Sequence, residues 1–117
     1  MAAGAGTRVS EVVVCAADQL APGEMVPARL EDRTPIVVVR TLDGELHGLV
    51  DRCLHQGARL SGGQLLASTD AVLKCPWHGY EYDVRSGCAL LDRRQRLQRV
   101  GVRVRDGLIV AGHRSPL

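Results

Sequence analysis

Two cysteines and two histidines stand in two tight pairs, and they are the residues of this chain best suited to metal chemistry. One residue separates Cys53 from His55, two separate Cys75 from His78, and nineteen lie between the pairs. A thiolate and an imidazole this close together in a loop with Gly or Pro can be directed at one point. Two thiolates and two imidazoles suit either a zinc ion or a 2Fe–2S cluster with cysteines on one iron and histidines on the other.

The order of these ligands bears on the choice of metal. A Cys₂His₂ zinc finger usually takes its thiolates from one turn and its imidazoles from a helix. Here each loop supplies one Cys and one His. Two such loops facing each other would bring the cysteines together on an inner iron and the histidines on an outer iron. This order favours the two-iron cluster, and a zinc-binding structural module is the alternative.

The sequence around both pairs closely resembles the Rieske iron–sulfur family. The resemblance is carried by residues 53–58 (Cys-Leu-His-Gln-Gly-Ala) and 75–83 (Cys-Pro-Trp-His-Gly-Tyr-Glu-Tyr-Asp), and it extends from about Val12 to Ala111. It implies one Rieske-type 2Fe–2S cluster per chain, with Cys53, His55, Cys75 and His78 as iron ligands. The residues that it places around the cluster are Gln56, Gly57, Ala58, Trp77, Gly79, Tyr80 and Tyr82.

Two departures from high-potential members of that family predict a lower reduction potential. Those members carry a disulfide between the ligand loops at the positions of Ala58 and Trp77, so no such bridge can form here. They also have Ser and Tyr where this chain has Tyr80 and Tyr82, so one hydroxyl is lost while that of Tyr82 is expected to reach the cluster. We expect a potential in the lower half of the roughly −150 to +300 mV range of His-ligated clusters.

The same resemblance predicts where electrons enter and leave. Reduction takes a cluster with two neutral imidazoles from zero charge to −1, and the added electron should reside on the iron held by His55 and His78. That iron should lie nearest the surface. An apolar collar that shields the cluster or contacts a redox partner is expected from Leu54, Leu60, Pro76 and Trp77.

Strands must position the two loops, and the pattern along the chain is that of an all-β domain. Asp43-Gly44 and Asp106-Gly107 are hairpin signals between extended runs, and residues 60–63 read as a turn. The predicted strands are residues 12–15, 25–30, 36–40, 45–50, 72–74, 80–84 and the two arms of a hairpin within 97–111. By resemblance, the architecture is the Rieske fold, a small antiparallel β-sandwich or barrel-like base that carries a cluster-binding subdomain of two loops.

The length of 117 residues leaves room for one domain. We expect a single Rieske domain over residues 1–117, with a flexible N-terminus at 1–7 and the cluster-binding subdomain at about 51–83. Cys15 and Cys88 show no disulfide pattern and read as structural residues, which suits a reducing compartment. Since neither a signal-peptide pattern nor an apolar stretch of membrane length is present, we expect a soluble cytoplasmic protein with no membrane partner.

Charge is distributed unevenly along the chain. From Arg93 onward there are seven Arg and one Asp, a net charge of +6, which leaves −4 for the first ninety-two residues. This basic region is either the solvated face of a strand or a docking patch for a partner. The overall charge of +2 and the absence of interleaved basic and aromatic residues argue against nucleic-acid binding.

These features predict an electron carrier rather than an enzyme. The favoured function is a soluble ferredoxin, expected to be a monomer, that passes single electrons from a flavin-dependent reductase to a terminal oxygenase. A catalytic oxygenase subunit would need a second iron site with two His and a carboxylate, and only His47 and His113 remain for it. The alternative within the resemblance is the small redox subunit of a nitrite-reductase-like enzyme.

Overall fold

The computed structural model describes residues 11–55, 57–66, 71–77 and 79–114, and within them the chain is built from short strands. Two single-turn 3₁₀ helices, Ala17–Gln19 and Leu60–Gly62, interrupt the strands. The strands are β1 (Val12–Ala16), β2 (Met25–Arg29), β3 (Pro35–Arg40), β4 (Leu46–Val50), β5 (Gln64–Leu66), β6 (Val72–Lys74), β7 (Glu81–Asp83), β8 (Arg99–Arg105) and β9 (Leu108–Arg114).

The strands form two antiparallel sheets. Six of them make a nearly closed, barrel-like sheet in the order β1-β9-β8-β4-β3-β2, and β5-β6-β7 make a small second sheet. This arrangement confirms the predicted all-β architecture with a barrel-like base, to which a second, smaller antiparallel sheet is added. No helix in the described parts of the chain is long and apolar enough to cross a membrane.

Strand β3 is buried on both faces and divides the core into two clusters. Ile36, Val37, Val38 and Val39 are all fully buried. Because successive side chains point to opposite faces of a strand, Val37 and Val39 join one cluster while Ile36 and Val38 join the other. The first cluster also contains residues of β6 and β7, so this cluster packs against both sheets.

Both predicted hairpins are present. The backbone turns between β3 and β4 at Gly44, whose φ of 91° is readily adopted by glycine, and β3 pairs with β4 from Ile36↔Val50 to Arg40↔Leu46. Asp106 and Gly107 both have positive φ, as a type I′ turn requires, and they join β8 to β9.

Several strand bounds differ from the prediction, and the last hairpin runs to Arg114 rather than to residue 111. The second strand ends at Arg29 rather than at residue 30, because the chain turns back there and the Leu30 N–H donates to Thr34 O at 3.0 Å. Residues 60–62 form a 3₁₀ helix that buries Leu60 instead of a plain turn. Strand β5 has no signal in the sequence, since its three residues show no run of β-branched side chains.

Candidate metal centre

The two cysteines of the motif meet in the core between the sheets. Cys53 follows β4 and Cys75 follows β6, each is 2% exposed, and both belong to the cluster that contains Val37 and Val39. Both are free thiols. Burial raises the pKa of the Cys75 thiol, the adjacent Cys53 thiol raises it further, and the Trp77 N–H bond to its sulfur opposes the rise. Metal binding at this point must therefore displace thiol protons.

His55 lies at the surface, in contrast to the two thiols. Its ring stacks on Tyr80, with 5.2 Å between ring centroids and 10° between ring planes. His78 and Gln56 lie outside the described residues. Among the described residues, no three His, Cys, Asp or Glu side chains form a group that could hold one metal ion. The described part of the centre thus places sulfur inside and imidazole outside.

Backbone hydrogen bonds close the first loop. The Cys53 N–H donates to Ala58 O at 2.8 Å, and the Gly57 N–H donates back to Cys53 O at 2.7 Å. Gly57 has a φ of 75°, which favours glycine at this position. Ala58 is partly buried and packs against the same core cluster as Cys53.

The second loop is closed in a similar way. The Cys75 N–H donates to Tyr80 O at 2.7 Å, and the Trp77 N–H points at Cys75 Sγ at 3.4 Å. Gly79 has a φ of 68°, and the Lys74 side chain lies along it: a Cβ on Gly79 would come 3.1 Å from Lys74 Cε and 3.9 Å from its Nζ. Lys74 is the only lysine of the chain.

Tyr82 links the second sheet to the first loop. Its side chain is fully buried. The hydroxyl oxygen accepts the Leu54 N–H at 2.9 Å and lies 3.3 Å from Cys53 Sγ. Burial, followed by the hydrogen bond with Cys53, raises the pKa of the Tyr82 hydroxyl. The hydroxyl therefore keeps its proton at neutral pH and can donate it to the sulfur.

Two residues that support the centre were not found from the sequence. Asp51 is fully buried, and its carboxylate accepts the Ser61 N–H at 2.8 Å and the Ser61 hydroxyl at 2.6 Å. Gln95 accepts the Tyr80 hydroxyl at 2.8 Å. The only sequence signal for Asp51 is its position two residues before Cys53. Gln95 has no sequence signal, because only the folded chain brings it next to Tyr80.

Leu60 differs in exposure from the other three residues of the predicted apolar collar. Leu54 and Trp77 are 50% and 56% exposed, and Pro76 is also exposed. Leu60 is fully buried, because its 3₁₀ helix turns the side chain into the core cluster beneath the loops. The exposed apolar surface at this end therefore comes from the other three residues.

Two buried thiols and an exposed imidazole, on loops that follow strands of an all-β domain, are side chains suited to binding a metal. The Rieske [2Fe-2S] domain model matches residues 10–101. The chain belongs to this family, which confirms the predicted recognition and the predicted Rieske-type 2Fe–2S cofactor. The zinc interpretation is thereby set aside.

Individual relatives agree with this assignment. The chain is 34% identical over 102 residues to the 3-phenylpropionate/cinnamic acid dioxygenase ferredoxin subunit of Photorhabdus laumondii, covering 86% of this chain and 92% of that protein. Among solved structures it is similar to the complex of reduced oxygenase and oxidized ferredoxin in carbazole 1,9a-dioxygenase (TM-score 0.79, 28% identity, 92% of this chain and 96% of that chain). It is also similar to the putative NADH-dependent nitrite reductase small subunit from Mycobacterium tuberculosis (TM-score 0.79, 25% identity, 90% and 96%). Since relatives are named as ferredoxin subunits, the prediction of an electron-transfer component rather than an enzyme is confirmed.

Proposed function

We propose that Cys53 and Cys75 ligate the inner iron of the cluster and that His55 and His78 ligate the outer iron. The observation that carries this assignment is the difference in burial: both thiols are 2% exposed in the core, whereas the His55 ring is at the surface. When bound, the cluster supplies one-electron redox chemistry at a potential raised by its neutral imidazole ligands. The exposed imidazole then marks the end of the molecule through which an electron enters and leaves.

The surrounding residues adjust and protect this site. The neutral Tyr82 hydroxyl and the Trp77 N–H are donors aimed at cysteine sulfur, and such bonds favour the form with more negative charge. The core cluster around Cys53 and Cys75 excludes water from the sulfur side. Gln56, Gly57, Ala58 and Gly79 are proposed to supply close backbone contacts, with the two glycines allowing the approach.

We further propose that the protein carries electrons from a flavin-dependent reductase to a terminal oxygenase. The similarity to a dioxygenase ferredoxin subunit over most of both chains supports this role. The exposed Leu54, which precedes His55, and the exposed Trp77 in the second loop provide apolar surface for such partners. The shared core of the two sheets supports its action as one domain, and we propose that it works as a monomer.

Ligand substitution tests the assignment of the cluster. The purified protein should contain two irons and two acid-labile sulfides per chain and, once reduced, give a rhombic EPR signal with an average g below the free-electron value. His55→Ala and His78→Ala should each abolish this spectrum. His47→Ala is the matched control, because His47 lies on β4 and its Nε2 pairs with Glu45 at 3.2 Å. Wild-type protein without acid-labile sulfide would refute the proposal.

Reconstitution distinguishes the two partner systems. With NADH and a flavin-dependent reductase, the protein should be reduced and should then support turnover of a terminal dioxygenase. The competing role, suggested by the similarity to a nitrite reductase small subunit, predicts instead that it supports nitrite reduction with a catalytic large subunit. Turnover of nitrite without any oxygenase turnover would overturn the oxygenase assignment and leave the cluster assignment intact.

A further inference from the structure

Tyr80 touches both ligand loops at once. Its backbone carbonyl accepts the Cys75 N–H at 2.7 Å, which makes it part of the second loop. Its ring lies parallel to the ring of His55 in the first loop, 5.2 Å away between centroids. The Tyr80 ring also contacts the Tyr82 ring, with 5.6 Å between ring centroids and 56° between ring planes.

Gln95 fixes the tip of the Tyr80 side chain. The Tyr80 hydroxyl donates to Gln95 Oε1 at 2.8 Å. The backbone of Gln95 is held on both sides, since its N–H donates to Asp92 O at 2.9 Å and its carbonyl accepts the Ala89 N–H at 2.9 Å. The ring that faces His55 is therefore anchored at its backbone and at its hydroxyl.

This contact stands where the two loops have no covalent link. Ala58 and Trp77 cannot form a disulfide, and the contact of Tyr82 with Cys53 and Leu54 lies on the buried side. The Tyr80–His55 stack is on the exposed side, because the His55 side chain lies at the surface. Tyr82 thus contacts the first loop on its buried side, and Tyr80 contacts it on its exposed side.

We infer that Tyr80 is a positioning residue that orients the His55 imidazole toward the outer iron and joins the ligand loops in place of a covalent bridge, with Gln95 as its anchor. This inference rests on the proposed ligation by His55. The Tyr80 ring is the group that orients His55, and its hydroxyl holds the ring through the bond to Gln95. A ring-free side chain of similar size should therefore fail where phenylalanine succeeds.

The test compares Tyr80→Leu, Tyr80→Phe and Gln95→Ala with the wild type. Cluster loss is followed by bleaching of visible absorbance in excess chelator, and ligand orientation by the EPR g values of the reduced protein. Tyr80→Leu should bleach roughly fivefold faster, the factor that an aromatic pair of ordinary strength contributes, and should shift or broaden the EPR signal. Tyr80→Phe and Gln95→Ala remove the same hydrogen bond and keep the ring, so both should stay close to the wild-type g values.

Two results would overturn the inference. One is Tyr80→Leu with wild-type g values and bleaching rate, and the other is Tyr80→Phe as damaging as Tyr80→Leu. If Tyr80→Leu does not accumulate as folded protein, Tyr80→Trp replaces it in the test. Tyr80→Trp must retain the wild-type EPR signal if stacking on His55 orients the imidazole. These outcomes concern Tyr80 alone, whereas a wild-type protein lacking labile sulfide would refute the proposed ligation itself.

Discussion

The proposed ligand residues could be predicted from the sequence because their spacing is local, whereas the residues that contact the loops through the fold could not. Cys and His one or two residues apart form a recognisable pattern in any fold that presents them. Asp51 and Gln95 act through partners ten and fifteen residues away, Ser61 and Tyr80. Carboxylate and amide side chains are common on protein surfaces, so only the folded structure distinguishes these two.

Removing the Tyr82 hydroxyl should lower both the potential and the stability. In Tyr82→Phe the sulfur of Cys53 loses a donor, which makes its negative charge costlier and lowers the midpoint potential. The Leu54 N–H loses its acceptor, at a cost of about 1–3 kcal/mol in the free energy of unfolding. Spectroelectrochemistry and denaturant unfolding measure the two effects. Tyr80→Phe is the control, and equal potentials for the two variants would contradict the assignment.

The charge of Lys74 should raise the potential. Its side chain lies along Gly79, beside the second ligand loop, and a nearby cation lowers the cost of adding an electron to the cluster. Lys74→Gln should therefore have a lower midpoint potential at low ionic strength, and Lys74→Arg should stay near the wild type. Arg105→Gln is the control, because it removes an equal charge at the C-terminal end of β8, where Arg105 forms an ion pair with Glu11 at 2.9 Å. An equal shift in that control would show that only net charge matters.

At the scale of elements, the sequence predicted strands where short-range signals are strong. The Val run of β3 and the Asp-Gly turns are such signals, and both are confirmed. Strand β5 and the 3₁₀ helix at Leu60 escaped prediction because tertiary contacts create them: β5 exists through pairing with β6, and Leu60 turns inward to fill the shared core. Short elements of this kind carry little information in their own residues.

The β3–β4 turn should make stability sensitive to acid. Asp43 interacts with the Thr41 hydroxyl and with Arg85, which follows β7, at 3.2 Å. The Thr41 hydrogen bond, aided by Arg85, lowers the pKa of the Asp43 carboxyl. Because the folded pKa lies below the unfolded one, the ionised carboxylate contributes stability that is present above the unfolded pKa and is lost as pH falls through the folded pKa.

Melting temperature against pH checks this contribution. Asp43→Asn should show a shallower fall in Tm than the wild type between about pH 5 and pH 2, and added salt should narrow the difference because the site is exposed. Asp106→Asn, at the turn of the other hairpin, is the matched control and should follow the wild-type curve. Parallel curves for wild type and Asp43→Asn would show that the turn carboxylate adds no acid-dependent stability.

At the scale of the whole molecule, the two sheets depend on the metal centre unequally. The large sheet has its own core cluster around Ile36 and Val38, on the face of β3 away from Cys53 and Cys75. The small sheet consists of three strands of three residues each, and its buried residues share the other cluster with Cys53 and Cys75. A sheet that small is marginal without further support, so metal binding and the order of the small sheet should be coupled.

Removing the cluster should therefore loosen one sheet before the other. In the chelated, reduced apoprotein, amide hydrogen exchange should rise in β5, β6 and β7 while β3, β8 and β9 keep most of their protection. Burial raises the pKa of the Cys75 thiol, which stays protonated near neutral pH in that state. A Cys53→Ala/Cys75→Ala double variant, which lacks both proposed thiolate ligands, should give the apo pattern without chelation. A uniform rise across both sheets would mean that the cluster stabilises the whole fold as one cooperative unit.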